Sequence, residues 1–225
     1  DSLSIAYTSY KLGYLFHISS TDNDSAYYYY YNALKHLNNS TLSKKAFHRA
    51  TQADVFSNIA TLQKNELDYT GSQASIIQSI NIGLTLSHNR ENLLGAYNLL
   101  GMNLNKLREY DKALDYYQKA FSLARNFSDI LDTSINIAEV YKEKGDYNEV
   151  FGIYDELLKD AELKIKDING YAIILANYAY TLHLAKDKNI NKVDSLFIKA
   201  HTILENLKSS YELSANSNDM SEFYE

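Results

Sequence analysis

Two stretches of the chain carry one spaced pattern. The first reads Tyr97, Leu100, Gly101, Leu104, then Ala113, Tyr117, Ala120. The second reads Ser134, Ile137, Ala138, Tyr141, then Val150, Tyr154, Leu157. Large apolar and small residues recur at the same offsets, and self-similarity of this kind marks a repeat architecture. The offsets suit antiparallel helix pairs. The small residue, Gly101 or Ala138, admits a neighbouring helix, and an aromatic fills the hollow beside it. The same large–small doublet recurs at Leu12-Gly13, Ile59-Ala60, Tyr178-Ala179 and, in a weaker form, Met220-Ser221. Second-helix anchors predict further pairs through Ala26, Tyr30 and Ala33, through Ser72, Ile76 and Ser79, and through Val193, Phe197 and Ala200.

These residues resemble the tetratricopeptide repeat, whose pattern runs x2-Leu-Gly-x2-Tyr, then Ala-x3-Phe-x2-Ala, often with a closing proline. The doublets here are about 37 to 47 residues apart, longer than the family's 34 or so. The third repeat matches best and the fourth well. The first and fifth need small insertions, the second has Gln63 where an aromatic is expected, and no closing proline exists. The resemblance implies an all-α fold, a right-handed α-solenoid of antiparallel helix pairs. Five pairs are expected at about 1–40, 41–88, 89–127, 128–166 and 167–208, with 209–225 forming the first helix of a partial sixth repeat or a C-terminal cap.

The resemblance also implies a function. In this family the first helix of each repeat lines the concave face, and particular positions along it meet the ligand. Carried onto this chain, those positions give Tyr7, Tyr10, Tyr14, His17 and Ile18; Asn98, Met102, Asn105 and Lys106; Asp132, Ile135, Glu139, Lys142 and Glu143; and Ile173, Ala176, Tyr180, His183 and Leu184. The candidate partner-binding residues are Tyr7, Tyr10, Tyr14, His17, Asn98, Met102, Asn105, Tyr180 and His183. The expected role is a non-enzymatic scaffold for a protein or peptide. The Lys and Asn clamp that grips a terminal carboxylate in some family members is absent, since Ser57, Thr61, Asn98 and Met102 hold those positions. The long Tyr- and Asn-rich repeats resemble the sensory regions of bacterial membrane-anchored regulators. That likeness implies the periplasmic side of such a regulator, with the cytoplasm as the alternative. A dimerisation module with no separate peptide ligand is the competing role.

The residues themselves narrow the reading further. Tyr7, Tyr10, Tyr14 and His17 share one helical face. Tyrosine joins a broad apolar ring to a hydrogen-bonding tip, so the stripe serves either recognition or packing. The run Tyr27–Tyr31 cannot form a single stripe, because successive helical residues are about 100° apart. Tyr30 is expected in the core.

Proline is absent where average usage would give on the order of ten. Proline breaks helix interiors, so its absence suits a chain that is mostly helix, with ends set by Gly, Asn, Asp and Ser. Gly145 is expected to close one helix in the left-handed conformation. Asp146 is expected to cap the next, and Asp24 to cap the second helix. The net charge of -6 argues against nucleic acid. With no cysteine there are no disulfides or thiolate metal sites. No apolar run is long enough for membrane insertion.

No catalytic constellation, P-loop, cofactor motif or paired-histidine metal motif is present. Acidic pairs such as Asp155-Glu156 lie beside lysines such as Lys159 and are read as solvated helix pairs. The chain opens at Asp1 with a helix already under way, and the expectation is a piece excised from a longer protein. Helices are predicted over 3–19, 25–38, 41–64, 70–87, 90–106, 111–125, 128–144, 146–164, 169–186 and 192–209.

Overall fold

The computed structural model describes residues 2–19, 22–38, 45–87, 89–159, 167–186 and 190–221. These residues form ten helices and no strand: α1 (Ser2–Ser19), α2 (Asn23–Leu37), α3 (Ala46–Asn65), α4 (Tyr69–Gly83), α5 (Arg90–Lys106), α6 (Tyr110–Leu123), α7 (Phe127–Lys144), α8 (Tyr147–Lys159), α9 (Ile168–Leu184) and α10 (Ile190–Ser221). The all-α expectation holds. The predicted helical stretches 41–44 and 160–164 lie outside the described residues. The chain divides into two compact units, residues 1–125 with α1–α6 and residues 126–225 with α7–α10.

Without proline, polar side chains cap several of the helices. Asp68 Oδ1 accepts from the Gly71 backbone N–H at 2.8 Å, Asp167 Oδ1 from Gly170 at 2.7 Å, and Asn126 Oδ1 from Asp129 at 2.8 Å. Each bond satisfies a donor that the first turn leaves unpaired. At α2 the cap is Asp22, which accepts from Ser25 N–H at 3.1 Å, and the expected cap Asp24 lies inside the first turn. Gly145 ends α7 with φ of 82°, as expected of a left-handed C-cap, and Asp146 stands immediately before α8. α4 ends at Gly83, earlier than predicted. α10 runs unbroken from Ile190 to Ser221, although a hairpin end was expected near Ser209. Neither glycine nor proline occurs between these residues to stop it.

The repeated anchors form the cores. In the first unit Ala26, Tyr30 and Ala33 of α2 are fully buried, with Val55, Ile59 and Leu62 of α3 packed beside them. In the second unit Val150, Tyr154 and Leu157 of α8 pack with Leu131 and Ala138 of α7 and with Ile174 and Tyr178 of α9. Phe197, expected as the fifth aromatic anchor, is instead exposed, and Leu196 packs on that core. The small residue of the doublet works as read from sequence. A Cβ built on Gly101 would lie 2.6 Å from Cε1 of Tyr117, and one on Gly13 would lie 2.7 Å from Cδ1 of Tyr30. Both rings are fully buried, so neither can swing clear.

Gly95, on the same helix as Gly101, has open space where its Cβ would be. Alanine there is expected to raise stability by about 0.5–1 kcal/mol through helix propensity. Alanine at Gly101 gains the same propensity but overpacks a rigid ring, at roughly 1–3 kcal/mol. The expected net effect is a loss of about 1 kcal/mol. Urea unfolding of the two variants measures this, and effects of the same sign would remove the close-approach role.

A polar relay joins three helices of the first unit. Ser72 Oγ on α4 donates to the Ala60 carbonyl of α3 at 2.6 Å and accepts from Asn103 Nδ2 of α5 at 2.7 Å. Ser72 and Asn103 are wholly buried. Buried polar groups are ordinarily bonded; Asn103 Oδ1 has no partner among the described residues, but its Nδ2 and the Ser72 hydroxyl tie successive helix pairs into register. Charged pairs on the surface are of a different kind. Lys159 and Glu156 meet at 2.6 Å with both side chains mostly exposed, an arrangement worth little stability. Among the described residues no helix is long and apolar enough to cross a membrane.

Candidate functional site

The first helices of three successive pairs, α1, α3 and α5, line one open groove in the first unit, with a volume of about 560 Å³. This falls within the range of ligand pockets. Tyr10 and Tyr14 come from α1, and Asp54, Ser57, Asn58, Thr61 and Lys64 from α3. Asn92, Gly95, Ala96, Asn98, Leu99 and Met102 come from α5, and Ile76 of α4 contributes from behind. The helix-pair pattern produces this directly. The second helices carry the fully buried anchors, which turns one face of each first helix toward the groove.

Side-chain chemistry in the groove is mixed. Tyr14 is exposed, and Tyr10 is half-buried. Burial raises the pKa of Tyr10, and the nearby Asp54 charge adds to the shift, while a hydrogen bond from Asn58 opposes it. Asp54 Oδ1 accepts from Asn92 Nδ2 at 2.6 Å. Burial pushes the Asp54 carboxyl up to about 6, and Lys11 offsets this only in part. Lys11 Nζ stands 5.4 Å from the centroid of the Tyr10 ring. The groove thus combines aromatic surface, amide and hydroxyl groups able to bond an extended backbone, and one carboxylate whose charge is poorly compensated.

Of the nine candidate residues, the structure brings four together here: Tyr10, Tyr14, Asn98 and Met102. Tyr7 is instead engaged between α1 and α3. Its hydroxyl lies 3.0 Å from His48 Nδ1, and its ring packs on Phe47 with centroids 5.4 Å apart. His17 Nδ1 lies 3.1 Å from the Tyr30 hydroxyl, and burial lowers its pKa. Asn105 is buried, and its Oδ1 has no partner among the described residues. Tyr180 and His183 belong to α9 in the second unit and are exposed, with Lys142 Nζ 5.5 Å from the Tyr180 ring centroid.

Asp54, Asn58 and Asn92 were not among the candidates. The signal for Asp54 was present. Ser57 and Thr61 stand at the offsets that Asn98 and Met102 occupy in the next repeat, and the same spacing places Asp54 one turn earlier. The looseness of the second repeat, with Gln63 in an aromatic position, concealed it.

The tyrosine run divides by face. Tyr30 is fully buried, while Tyr28 and Tyr31 are exposed. Tyr29 stacks on Phe16 at 5.5 Å, and Tyr27 donates its hydroxyl to Glu66 Oε2 at 2.9 Å.

Comparison with known proteins accords with this geometry. Residues 94–127 match the model of the Tetratricopeptide repeat, a span that covers α6 and most of α5. No curated protein matches the chain. Among solved structures, aspartyl phosphate phosphatase F from Bacillus subtilis is similar, with a TM-score of 0.77 and 17% identity over 95% of this chain. The chain spans 54% of that protein's length. The apo form of RapI gives a TM-score of 0.74 and 19% identity, covering 94% of this chain and 74% of RapI. A putative kinesin light chain from Podospora anserina, with nearly identical tetratricopeptide-like repeats, gives a TM-score of 0.69 and 10% identity over 93% of this chain and 99% of that one. At such identities the likeness is one of fold, and the fold is an all-α helical-repeat solenoid.

Proposed function

We propose that the chain is a non-catalytic interaction scaffold that binds a protein or peptide segment in the groove of the first unit. One observation carries the reading. Three first helices leave a continuous open channel that presents two tyrosines beside amide and hydroxyl groups, the surface an extended peptide needs. Aromatic anchors supply most of the affinity in such sites, and Asn and Ser side chains can satisfy the peptide's backbone groups. The long repeats support a place within a larger bacterial signalling regulator as its sensory or interaction part.

The test is panning of displayed random peptides on the purified chain, followed by calorimetry on the recovered sequences. Tyr10→Ala and Tyr14→Ala are each expected to weaken binding about tenfold or more. Full affinity in both variants would move the site elsewhere.

A dimerisation module is the second reading. It is favoured by Leu15 and Ile18, three residues apart on α1 and 52% and 61% exposed. Light scattering separates the two. A tight dimer that admits no peptide would support the second reading.

A further inference from the structure

We propose that the groove selects a peptide carrying an arginine or lysine, whose cation lies over the Tyr10 ring against the Asp54 carboxylate. This rests on the peptide-binding reading and specifies its occupant.

The argument begins with what Asp54 lacks. A carboxylate drawn partly out of water is ordinarily matched by a cation or by several hydrogen bonds. Asp54 accepts one bond from a neutral amide, Asn92 Nδ2 at 2.6 Å, and among the described residues it forms no ion pair. The cation whose charge acts on it is Lys11, an exposed side chain on α1. Burial outweighs Lys11, so the charge on Asp54 is left costly. A second cation would lower that cost.

The second observation is where Lys11 stands. Its Nζ lies 5.4 Å from the Tyr10 centroid, within the range of cation–aromatic attraction. The chain's own lysine thus holds a positive charge near the tyrosine ring and within electrostatic reach of the carboxylate. Lys11 is exposed, which leaves it displaceable. A ligand arginine would gain more there than lysine, because its planar group stacks on a ring and offers paired N–H donors to a carboxylate.

The remaining wall carries one acid and one base, so its own charges cancel and Asp54 sets the preference. Glu91 of α5 also borders the groove; Lys64 is the only cation lining it among the described residues. An acidic segment would bring its own charge against Asp54 in a partly dry setting, where repulsion is weakly screened.

The experiment pans random displayed peptides on the wild-type chain and on the Asp54→Asn and Lys11→Gln variants near neutral pH. The recovered peptides are then resynthesised with each arginine replaced by citrulline, which keeps the shape and removes the charge. Wild-type pools are expected to be enriched in arginine and lysine. Asp54→Asn and the citrulline exchange should each weaken binding about tenfold, with little further loss when combined. Lys11→Gln should strengthen cationic peptides by about threefold, since an internal competitor is gone. Recovered peptides without cationic enrichment, enriched in acidic residues, or bound equally by Asp54→Asn would overturn the cationic occupant and leave peptide binding standing. Recovery of no peptide by any form would overturn both. If Asp54→Asn does not fold, the wild-type pool, the citrulline exchange and Lys11→Gln still decide the matter.

Discussion

Replacing Tyr30 with alanine is expected to destabilise the first unit by about 3–5 kcal/mol, the usual cost of deleting a large buried ring. The ring is fully buried against Gly13. It meets the Tyr10 ring at 6.5 Å and the edge of His17 at 6.2 Å, and its hydroxyl bonds His17 Nδ1. Tyr28, two residues earlier and 67% exposed, is expected to tolerate alanine within about 0.5 kcal/mol. Because repeats stabilise only their neighbours, hydrogen exchange should show lost protection concentrated in α1–α3, with α7–α9 amides unaffected. Equal costs at the two tyrosines would mean that the run packs as a whole.

Asp54→Asn is expected to stabilise the protein by about 1–2 kcal/mol at neutral pH and by nothing measurable in acid. The sign follows from the proton. The folded protein holds it more tightly, with the carboxyl raised from 3.8 to about 6. Folding is therefore favoured less as pH rises between those values, and the penalty is complete above the upper one. The whole displacement corresponds to about 3 kcal/mol; part is lost to water, because the group is only partly buried. Asparagine carries no charge and can still accept the hydrogen bond from Asn92. The groups that face Asp54 are Lys11 and Tyr10 on α1 and Asn92 on α5, with Glu91 and Lys64 also bordering the groove, and all are common to both proteins. Urea unfolding of the pair across this pH window reads the difference directly. A gain that is constant with pH would show that charge is not its source. A stabilising substitution inside a groove is what a trade between stability and binding looks like.

The helices were legible because their periodic pattern is strict and proline is absent. Gly101 with Tyr117, Ala138 with Tyr154 and Gly13 with Tyr30 were each readable as a small residue matched to a ring. The site was less legible. Its residues come from three helices distant in sequence, and spacing within one helix cannot say which side chain its neighbours absorb. Tyr7 and His17 share a face with Tyr10 and Tyr14, yet His48 and Tyr30 take up their polar atoms. Asp54 was hidden by a repeat whose consensus had drifted, and its raised pKa depends on burial that no sequence pattern states. α10 passed the expected end of its hairpin because a repeat period marks where packing partners recur, whereas a helix stops only at a residue that stops it.

The bonded chain from Asn103 through Ser72 to the Ala60 carbonyl sets a limit on how the groove can adapt. Sliding one hairpin past the next would strand the Ser72 hydroxyl and the Asn103 amide in a dry interior at once, so such sliding is penalised and the channel is stiff. On the peptide-binding proposal a guest would meet a mould already cast. The entropy of ordering would then fall on the incoming strand, and discrimination between guests would come from their fit rather than from accommodation by the host.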